Sequence, residues 1–174
     1  TETTVLIADD DPSHLLLVEA ALAGAGFLVH TAADGALAVQ RHPEVQPDVV
    51  VLDVMMPNLS GIEACRQIRT LAGPLLPILM LTGRNDLTAI SDAFAAGASD
   101  FAQKGLNPRL LVERVRFLLR NREMQEEIRS SRSKLLLAQS IARVGHWELA
   151  VDGHTLHVSP MLGELLGLDT VRLH

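Results

Sequence analysis

Five short strand-like runs in the first 103 residues, three of them almost wholly apolar, alternate with longer segments in which apolar residues recur at helical spacing. Most of these runs show no alternation of polar and apolar positions, which is typical of strands buried on both faces of a parallel sheet. The runs lie at residues 5–8, 27–31, 49–52, 77–81 and 99–103. Because a helix must return the chain to the same edge of such a sheet, the pattern predicts an α/β fold with five parallel strands.

Chemically capable side chains stand at the ends of four of these runs. Asp9 and Asp10 follow the first run, Asp53 the third, Thr82 the fourth and Lys104 the fifth. The carboxyl ends of parallel strands share one edge, where ligands bind in open α/β sheets. Neighbouring carboxylates repel one another unless a cation neutralises them, and Mg²⁺ binds carboxylate and phosphate oxygens together. A nucleophilic carboxylate with a hydroxyl and an ammonium group beside such an ion indicates a phosphoryl-transfer site.

Composition and charge narrow the class of protein. The 174 residues, 48% hydrophobic and 21% charged, suffice for one globular domain with a sizeable core and a shorter remainder. The formal net charge of −6 argues against a general nucleic-acid surface, so no direct nucleic-acid contact is expected in this chain. The single cysteine, Cys65, excludes an internal disulfide framework, and the helical pattern around it predicts a buried thiol. With no apolar run of about 18 residues and no signal-peptide pattern, we expect a cytoplasmic protein without a membrane span.

The polar strand ends and the residues around them resemble the receiver domain of bacterial two-component response regulators. The resemblance covers roughly residues 4–122 and rests on four motifs in order. These motifs are Val5-Leu6-Ile7-Ala8-Asp9-Asp10-Asp11, Leu52-Asp53-Val54-Met55-Met56-Pro57 with Gly61, Leu81-Thr82, and Asp100-Phe101-Ala102-Gln103-Lys104. The resemblance implies a flavodoxin-like (βα)5 fold with strand order 2-1-3-4-5. It also implies a signalling domain that is not an enzyme and takes part only in its own phosphotransfer and dephosphorylation.

The resemblance assigns Asp53 as the phosphoacceptor, which takes a phosphoryl group from a phosphohistidine on a histidine kinase or a phosphotransfer protein. It implies Mg²⁺ as the cofactor. Asp10 and Asp53 are expected to bind the ion directly, together with the backbone carbonyl of Met55. Asp9 is expected to act mostly through water. The chain is therefore predicted to be a phosphoprotein that carries an aspartyl phosphate.

The remaining site residues form the expected switch. Thr82 resembles the hydroxyl that moves to the phosphoryl oxygens, and Lys104 the cation that pairs with them. Phe101 matches the aromatic residue that turns inward when Thr82 moves, although an ordinary core phenylalanine fits the same pattern. Two residues depart from the family. Gly105 stands where proline is usual and Gly83 where alanine is frequent, so both loops are expected to be more flexible.

A long helix is predicted from Pro108 onwards, with no clear stop signal. Apolar residues fall along it on alternating four- and three-residue steps, as in a heptad repeat. The apolar positions are Leu110, Phe117, Met124, Ile128, Leu135, Ala138 and Ala142, and the other seam positions are Arg114, Asn121 and Ser131. Two interpretations stay open: a parallel coiled coil that makes a homodimer, and a solvated helix that packs back on the receiver. In both cases residues 123–137 are expected to be a helical signalling linker.

Residues 138–174 resemble the beginning of a PAS sensory domain. The resemblance rests on the Gly-His-Trp-Glu sequence at 145–148, a short strand pair, and a helix that begins after Ser159 and Pro160. This segment is shorter than a whole PAS domain, so we expect the chain to stop inside it. The overall prediction is a receiver at 1–122 whose phosphorylation is relayed through the linker to a PAS-containing output region.

Other functions fit the sequence less well. A receiver-like module that only binds other proteins needs none of the chemical groups, and all of them are present. A metal-dependent phosphohydrolase of the haloacid-dehalogenase type places a second aspartate two residues after its nucleophile, where this chain has Met55. A flavin or dinucleotide carrier needs a glycine-rich turn between a strand and a helix, but Gly24-Ala25-Gly26 precedes a strand.

Overall fold

A computed structural model of the chain describes residues 2–83, 87–142, 147–149, 156–159, 161–163 and 172–173. The chain divides into two compact units, Thr1–Gln125 and Glu126–His174. Five strands and five helices alternate from the first strand onwards. They are β1 (Thr4–Ala8), α1 (Pro12–Gly24), β2 (Leu28–Ala32), α2 (Gly35–Val45), β3 (Val49–Asp53), α3 (Gly61–Ala72), β4 (Ile78–Thr82), α4 (Leu87–Ala95), β5 (Asp100–Gln103) and α5 (Pro108–Ala142).

The first five strands form one parallel sheet in the order β2-β1-β3-β4-β5, which confirms the predicted fold class. The central strand β3 is buried along its whole length. Its successive side chains point to opposite faces of the sheet. Val50 packs in the core cluster that contains Ala64 and Ile68 of α3, whereas Val51 packs in the cluster that contains residues of α1 and α5. Because helices cover β3 on both faces, the carboxylate at its end stands on a rigid support.

The helices that follow β1, β2 and β3 begin at capped N-termini. The Asp11 carboxylate accepts the backbone N–H groups of Ser13 and His14, and the Asp34 carboxylate accepts that of Leu37. The Ser60 hydroxyl caps α3 in the same way. Such caps satisfy N–H groups that the helix leaves without partners. They also fix where each helix starts beside the carboxyl edge of the sheet.

The end of α2 differs from the sequence-based expectation. The proline at position 43 predicts a turn over residues 43–47, but α2 continues through Pro43 to Val45 and ends at Gln46, whose φ is 48°. The buried residues of α2, among them Ala38 and His42, keep helical spacing up to the proline, so packing on the sheet outweighs the lost N–H donor. The predicted burial of Cys65 on α3 is confirmed, since the residue is fully buried.

Helix α5 changes character along its length. Its first turns pack on the sheet through Leu111, Val112, Val115 and Leu118. Arg122 then donates from Nη1 to the backbone carbonyl of Asp48 at 3.0 Å. Beyond that bond, all residues of 123–138 are exposed. None of the helices in the described ranges is long and apolar enough to cross a membrane.

The second unit contains three short strands in one antiparallel sheet, in the order β6-β7-β8. They are β6 (Trp147–Leu149), β7 (Leu156–Val158) and β8 (Arg172–Leu173). The strands β6 and β7 pair antiparallel, with Trp147 opposite Val158. Most of the predicted helix after Ser159 lies outside the described residues.

Candidate functional site

Three carboxylates meet at the carboxyl edge of the sheet. Asp9 and Asp10 follow β1, and Asp53 is the last residue of the adjacent strand β3. One oxygen from each side chain lies within 4.8 Å of an oxygen of the other two. Asp9 is 1% exposed and Asp53 2% exposed, whereas Asp10 is exposed to solvent. The cluster is therefore a buried negative charge that opens to solvent on one side.

Lys104 is the cation of this cluster. Its Nζ donates to Asp53 Oδ2 at 2.6 Å and to Asp9 Oδ1 at 3.1 Å. The backbone holds the lysine in place, because its N–H donates to the carbonyl of Thr82 at 2.7 Å. The second Asp53 oxygen, Oδ1, accepts the N–H of Met55 at 3.2 Å. One ammonium group is thus shared by two buried carboxylates, which leaves the cluster with excess negative charge.

The surroundings perturb the ionisation of both partners. Burial raises the pKa of the Asp53 carboxyl above the ordinary value of an aspartate, although Lys104 acts in the opposite direction. Burial alone acts to lower the pKa of Lys104, but its hydrogen bonds to Asp53 and Asp9 outweigh this, and the pKa is raised. The lysine therefore stays charged at neutral pH, and Asp53 favours any additional cation that reaches the cluster.

The donor set fits a hard divalent cation. Mg²⁺ prefers oxygen ligands and keeps several of its own water molecules, so an exposed carboxylate beside two buried ones suits it. The carboxylates of Asp9, Asp10 and Asp53 are the side chains available for it. The backbone carbonyl of Met55, predicted as a further ligand, belongs to the loop that follows β3.

The two predicted switch residues lie on β4 and β5, beside the cluster. Thr82 is buried at the end of β4 and pairs in register with Gln103 of β5. Phe101 lies on β5, is half-buried, and packs edge-to-face against Phe94 of α4, with ring centroids 5.9 Å apart. Gly105, which follows Lys104, has a φ of 82°. Proline cannot adopt this φ, so the loop has a backbone conformation that the more usual residue would not allow.

Close backbone packing positions the loop after Asp53. A Cβ atom on Gly61 would lie 1.8 Å from the Asp53 carbonyl oxygen, and one on Gly35 would lie 2.3 Å from the Leu59 carbonyl oxygen. The Asn58 amide donates to the carboxylate of Asp34 at 2.8 Å. These contacts tie the loop after β3 to the start of α2. Only Gly61 has a signal in the sequence, through its place in a motif.

Sequence reasoning also missed His14. Its Nδ1 lies 2.6 Å from Asp9 Oδ2, on the side of Asp9 that Lys104 does not reach. A usable signal exists, because His14 falls in the first turn of the helix that directly follows the Asp9-Asp10 pair. Side chains in a first turn point back towards the strand end, so a polar residue at that position is a candidate site residue.

The fold and the acidic cluster at the carboxyl edge of the sheet together define the class of protein. Residues 5–116 match the family model of the response regulator receiver domain. The chain therefore belongs to the response regulator receiver family, which confirms that part of the resemblance. Receiver domains are signalling modules rather than enzymes in the ordinary sense, and they bind Mg²⁺ at an acidic pocket that corresponds to the cluster of Asp9, Asp10 and Asp53.

Curated relatives and solved structures agree with this assignment. The DNA-binding response regulator MtrA of Mycolicibacterium smegmatis is 39% identical over 119 residues, which are 68% of this chain and 51% of MtrA. The transcriptional regulatory protein AfsQ1 of Streptomyces coelicolor is 33% identical over 157 residues, or 90% of this chain and 67% of AfsQ1. The chain thus spans about half the length of the MtrA proteins that it matches.

Among solved structures, a CheY-like receiver domain protein from Methanospirillum hungatei aligns with a TM-score of 0.69 and 26% identity, covering 72% of this chain and 99% of the other. The chemotaxis protein CheY4 of Vibrio cholerae aligns with a TM-score of 0.65 and 32% identity, covering 68% and 99%. Both alignments span nearly the whole of the other chain, so the similarity is to a complete receiver.

Proposed function

We propose that Asp53 accepts a phosphoryl group from a phosphohistidine on a histidine kinase or phosphotransfer protein, and that the resulting change passes through α5 to an output region. The observation that carries this proposal is the buried Asp53 carboxylate, bonded to Lys104 at 2.6 Å and grouped with Asp9 and Asp10. Burial raises the pKa of the Asp53 carboxyl, and its one cationic partner is shared with Asp9. Further positive charge would therefore stabilise its ionised form.

The transfer requires few covalent events. An Asp53 oxygen forms a bond to phosphorus while the bond from phosphorus to the histidine nitrogen of the donor breaks, and the donor imidazole leaves neutral after protonation by solvent. A Mg²⁺ ion held by Asp10, Asp53 and the Met55 carbonyl, with Asp9 acting through water, would neutralise charge on the phosphoryl oxygens. Lys104 already donates to the nucleophilic carboxylate and can follow the negative charge onto the phosphoryl group.

The signal then depends on two-state packing near β4 and β5. Phosphoryl oxygens are strong acceptors, so they favour a position of Thr82 in which its hydroxyl donates to them. That movement frees space beside Phe101, whose ring contacts Phe94 of α4 in the present arrangement. We propose that repacking of these two rings changes the face formed by α4, β5 and α5.

Labelling with a small-molecule phosphodonor tests the site. In the presence of Mg²⁺, the wild-type chain is expected to gain the mass of one phosphoryl group on the peptide that contains Asp53. Asp53→Asn should abolish this gain because an amide is not a nucleophile here. Asp92→Asn, which changes an exposed aspartate on α4, serves as the control and should label like wild type. Labelling of Asp53→Asn at the wild-type rate would exclude the site, and a wild-type chain that never labels would favour a module for protein interactions alone.

We further propose that α5 joins two copies of the chain as a parallel coiled coil. The heptad seam contains side chains that are exposed in the isolated chain, including Leu110 at 55%, Met124 at 55%, Ile128 at 69% and Leu135 at 63%. A single helix that packs against nothing is only marginally stable in water, which favours a partner for the exposed stretch at 123–138.

Charge complementarity favours a second copy in parallel register. In that register a residue at heptad position g faces the position five residues further along the partner helix. Glu127 would thus face Arg132 of a second copy, and Arg132 would face Glu127 in return. The seam also contains Asn121, and a polar residue at one such position specifies register at some cost in stability.

Ile128→Glu tests this interface. A charge in the seam is expected to raise the dissociation constant of the dimer by at least about tenfold, because desolvating it costs more than 1.4 kcal/mol. Leu136→Glu is the matched control: it introduces the same charge on the same exposed helix, away from the seam, and should leave dimerisation unchanged. Sedimentation equilibrium over a concentration series measures both. A wild-type chain that stays monomeric throughout would favour the solvated-helix interpretation.

The output region is a separate proposal. We propose the division into a receiver at 1–122, a helical linker at 123–137 and the beginning of a PAS domain at 138–174. Two facts support it: the unit boundary after Gln125 falls within the linker, and β6 pairs antiparallel with β7. The relative MtrA is named as a DNA-binding regulator, which makes a DNA-binding output the competing hypothesis. Binding of the complete protein to genomic DNA fragments would distinguish the two outputs.

A further inference from the structure

His14 lies beside the acidic cluster and contacts its most buried member. The imidazole Nδ1 is 2.6 Å from Asp9 Oδ2, and the His14 side chain is only 16% exposed. A carboxylate oxygen can only accept, so Nδ1 is the donor. The other Asp9 oxygen, Oδ1, accepts Lys104 Nζ at 3.1 Å and the backbone N–H of Asp11 at 3.0 Å. Both oxygens of Asp9 therefore have donors in the absence of any ion.

The start of α1 fixes His14 in this position. Asp11 caps the helix and accepts the backbone N–H of His14 at 3.3 Å, and Pro12 occupies the first helical position. Proline is preorganised for the first turn, and the cap sets the direction in which the chain enters the helix. The imidazole is thus held over the end of β1 by local structure and not only by its bond to Asp9.

The two side-chain donors of Asp9 differ in what else they do. Lys104 also binds the nucleophilic carboxylate of Asp53, at the shorter distance of 2.6 Å. A phosphoryl group on Asp53 would offer the ammonium group new anionic oxygens. The bond from Lys104 to Asp9 is longer than its bond to Asp53, so we expect the bond to Asp9 to break first. His14 has no such second carboxylate among its side-chain bonds to described residues.

We propose that His14 is a positioning residue that fixes the Asp9 carboxylate through its Nδ1–H, so that Asp9 keeps one orientation towards the cation whether or not Lys104 is bonded to it. Three donors bond to Asp9, one on Oδ2 and two on Oδ1, and in this arrangement Asp9 acts on the ion through water, while the exposed Asp10 binds it directly. Partners that orient metal-binding groups in this way typically change metal affinity by 10- to 100-fold when they are removed. The inference rests on the proposed Mg²⁺ site.

Isothermal titration calorimetry of the purified chain with Mg²⁺ alone tests the role of His14 without any phosphorylation. His14→Leu removes the donor and is expected to raise the Mg²⁺ dissociation constant by roughly tenfold. His14→Asn places an amide N–H near the position of Nδ1 and should bring the constant back to within about threefold of wild type. His30→Leu makes the same change on the edge strand β2 and should bind Mg²⁺ like wild type.

The Mg²⁺ affinities of the variants distinguish the donor role of His14 from the metal site itself. Wild-type affinity in His14→Leu, or equal weakening in the leucine and asparagine variants, would overturn the proposed donor role while leaving the metal site intact. A wild-type chain that does not bind Mg²⁺ would overturn the metal site itself, and with it the role of His14. Circular dichroism checks that the variants are folded, and His14→Ala replaces the leucine variant if leucine disturbs α1.

Discussion

Gly61→Ala is expected to lower the free energy of unfolding by about 3 kcal/mol or more, the upper part of the range for overpacking a tight site. The added methyl group would lie 1.8 Å from the Asp53 carbonyl oxygen, 2.8 Å from the Asp53 carbonyl carbon and 3.2 Å from the Val54 Cα. All three atoms belong to the backbone of the central strand and the loop after it. Neither a rotamer change nor a small side-chain shift can relieve the contact, so α3 must move away from the end of β3.

The same movement should impair the site. The Gly61 N–H donates to the Val54 carbonyl at 3.1 Å, and the Val54 N–H donates to the Leu81 carbonyl at 2.8 Å. The first turn of α3 is therefore connected to the end of β3 and, through it, to β4. Displacing it shifts the backbone that carries Asp53. We therefore expect slower labelling of Gly61→Ala by a small-molecule phosphodonor, even at temperatures where the variant remains folded.

Gly24→Ala is the matched control for this substitution. Gly24 ends α1, and a Cβ atom there would meet nothing within 4 Å. Alanine in a helix is favoured over glycine, so this variant should be unchanged or more stable by up to about 1 kcal/mol. Urea unfolding of the two variants beside wild type measures the difference. Similar small effects in both would mean that α3 can move away from the end of β3 at little cost in stability.

The sheet could be predicted from the sequence because its strands are buried on both faces. The run at residues 49–52 contains only aliphatic side chains, and β3 occupies residues Val49–Asp53. The end of such a run also predicts which edge the following polar residue reaches. The order of the strands came from the resemblance to receiver domains, since a run of valines carries no information about its neighbours. The limits of the edge strand β2 differ from the prediction. The apolar pattern starts this strand at residue 27, whereas the pairing of Thr4 with Leu28 starts it one residue later.

The contacts that the sequence did not reveal are those between side chains of different loops. The bond of Asn58 to Asp34 spans 24 residues, and neither residue belongs to a hydrophobic period. His14 was missed for a different reason, because its partner Asp9 is close in sequence but lies across a strand-to-helix turn. The hydrophobic pattern locates helices and strands. The bonds of Asn58 to Asp34 and of His14 to Asp9 depend instead on how loops and helix N-termini lie next to one another at the carboxyl edge of the sheet.

Lys104→Met is the second substitution with a large expected effect. It removes the ammonium group that Asp9 and Asp53 share and leaves both buried carboxylates without a cationic side chain at that position. Removing one partner from a buried ion pair typically costs about 3–5 kcal/mol, and we expect about 3 kcal/mol here because Lys104 is itself 25% exposed. The chain has one other lysine, Lys134, which lies on an exposed part of α5. Lys134→Met is the control and should change the free energy of unfolding little.

The loss in Lys104→Met should depend on pH in a defined direction. The pKa of Asp53 is already raised in the folded protein by burial, and removing Lys104 takes away a group that lowers it. For a carboxyl whose folded pKa exceeds its unfolded value, the contribution to stability is complete below the unfolded pKa and is lost as the pH rises through the folded one. The deficit relative to wild type should therefore be larger above neutral pH than at mildly acidic pH.

Added Mg²⁺ should have the same direction of effect as acid, because it supplies the missing positive charge when it binds to the folded variant. Urea unfolding at both pH values, with and without Mg²⁺, measures the four deficits directly. A deficit that stays constant across pH and Mg²⁺ would mean that Lys104 stabilises the chain through its methylene packing and not through its charge. A deficit that grows towards low pH would mean that removing Lys104 lowers the pKa of the Asp53 carboxyl, which would contradict the role of Lys104 as a group that lowers this pKa.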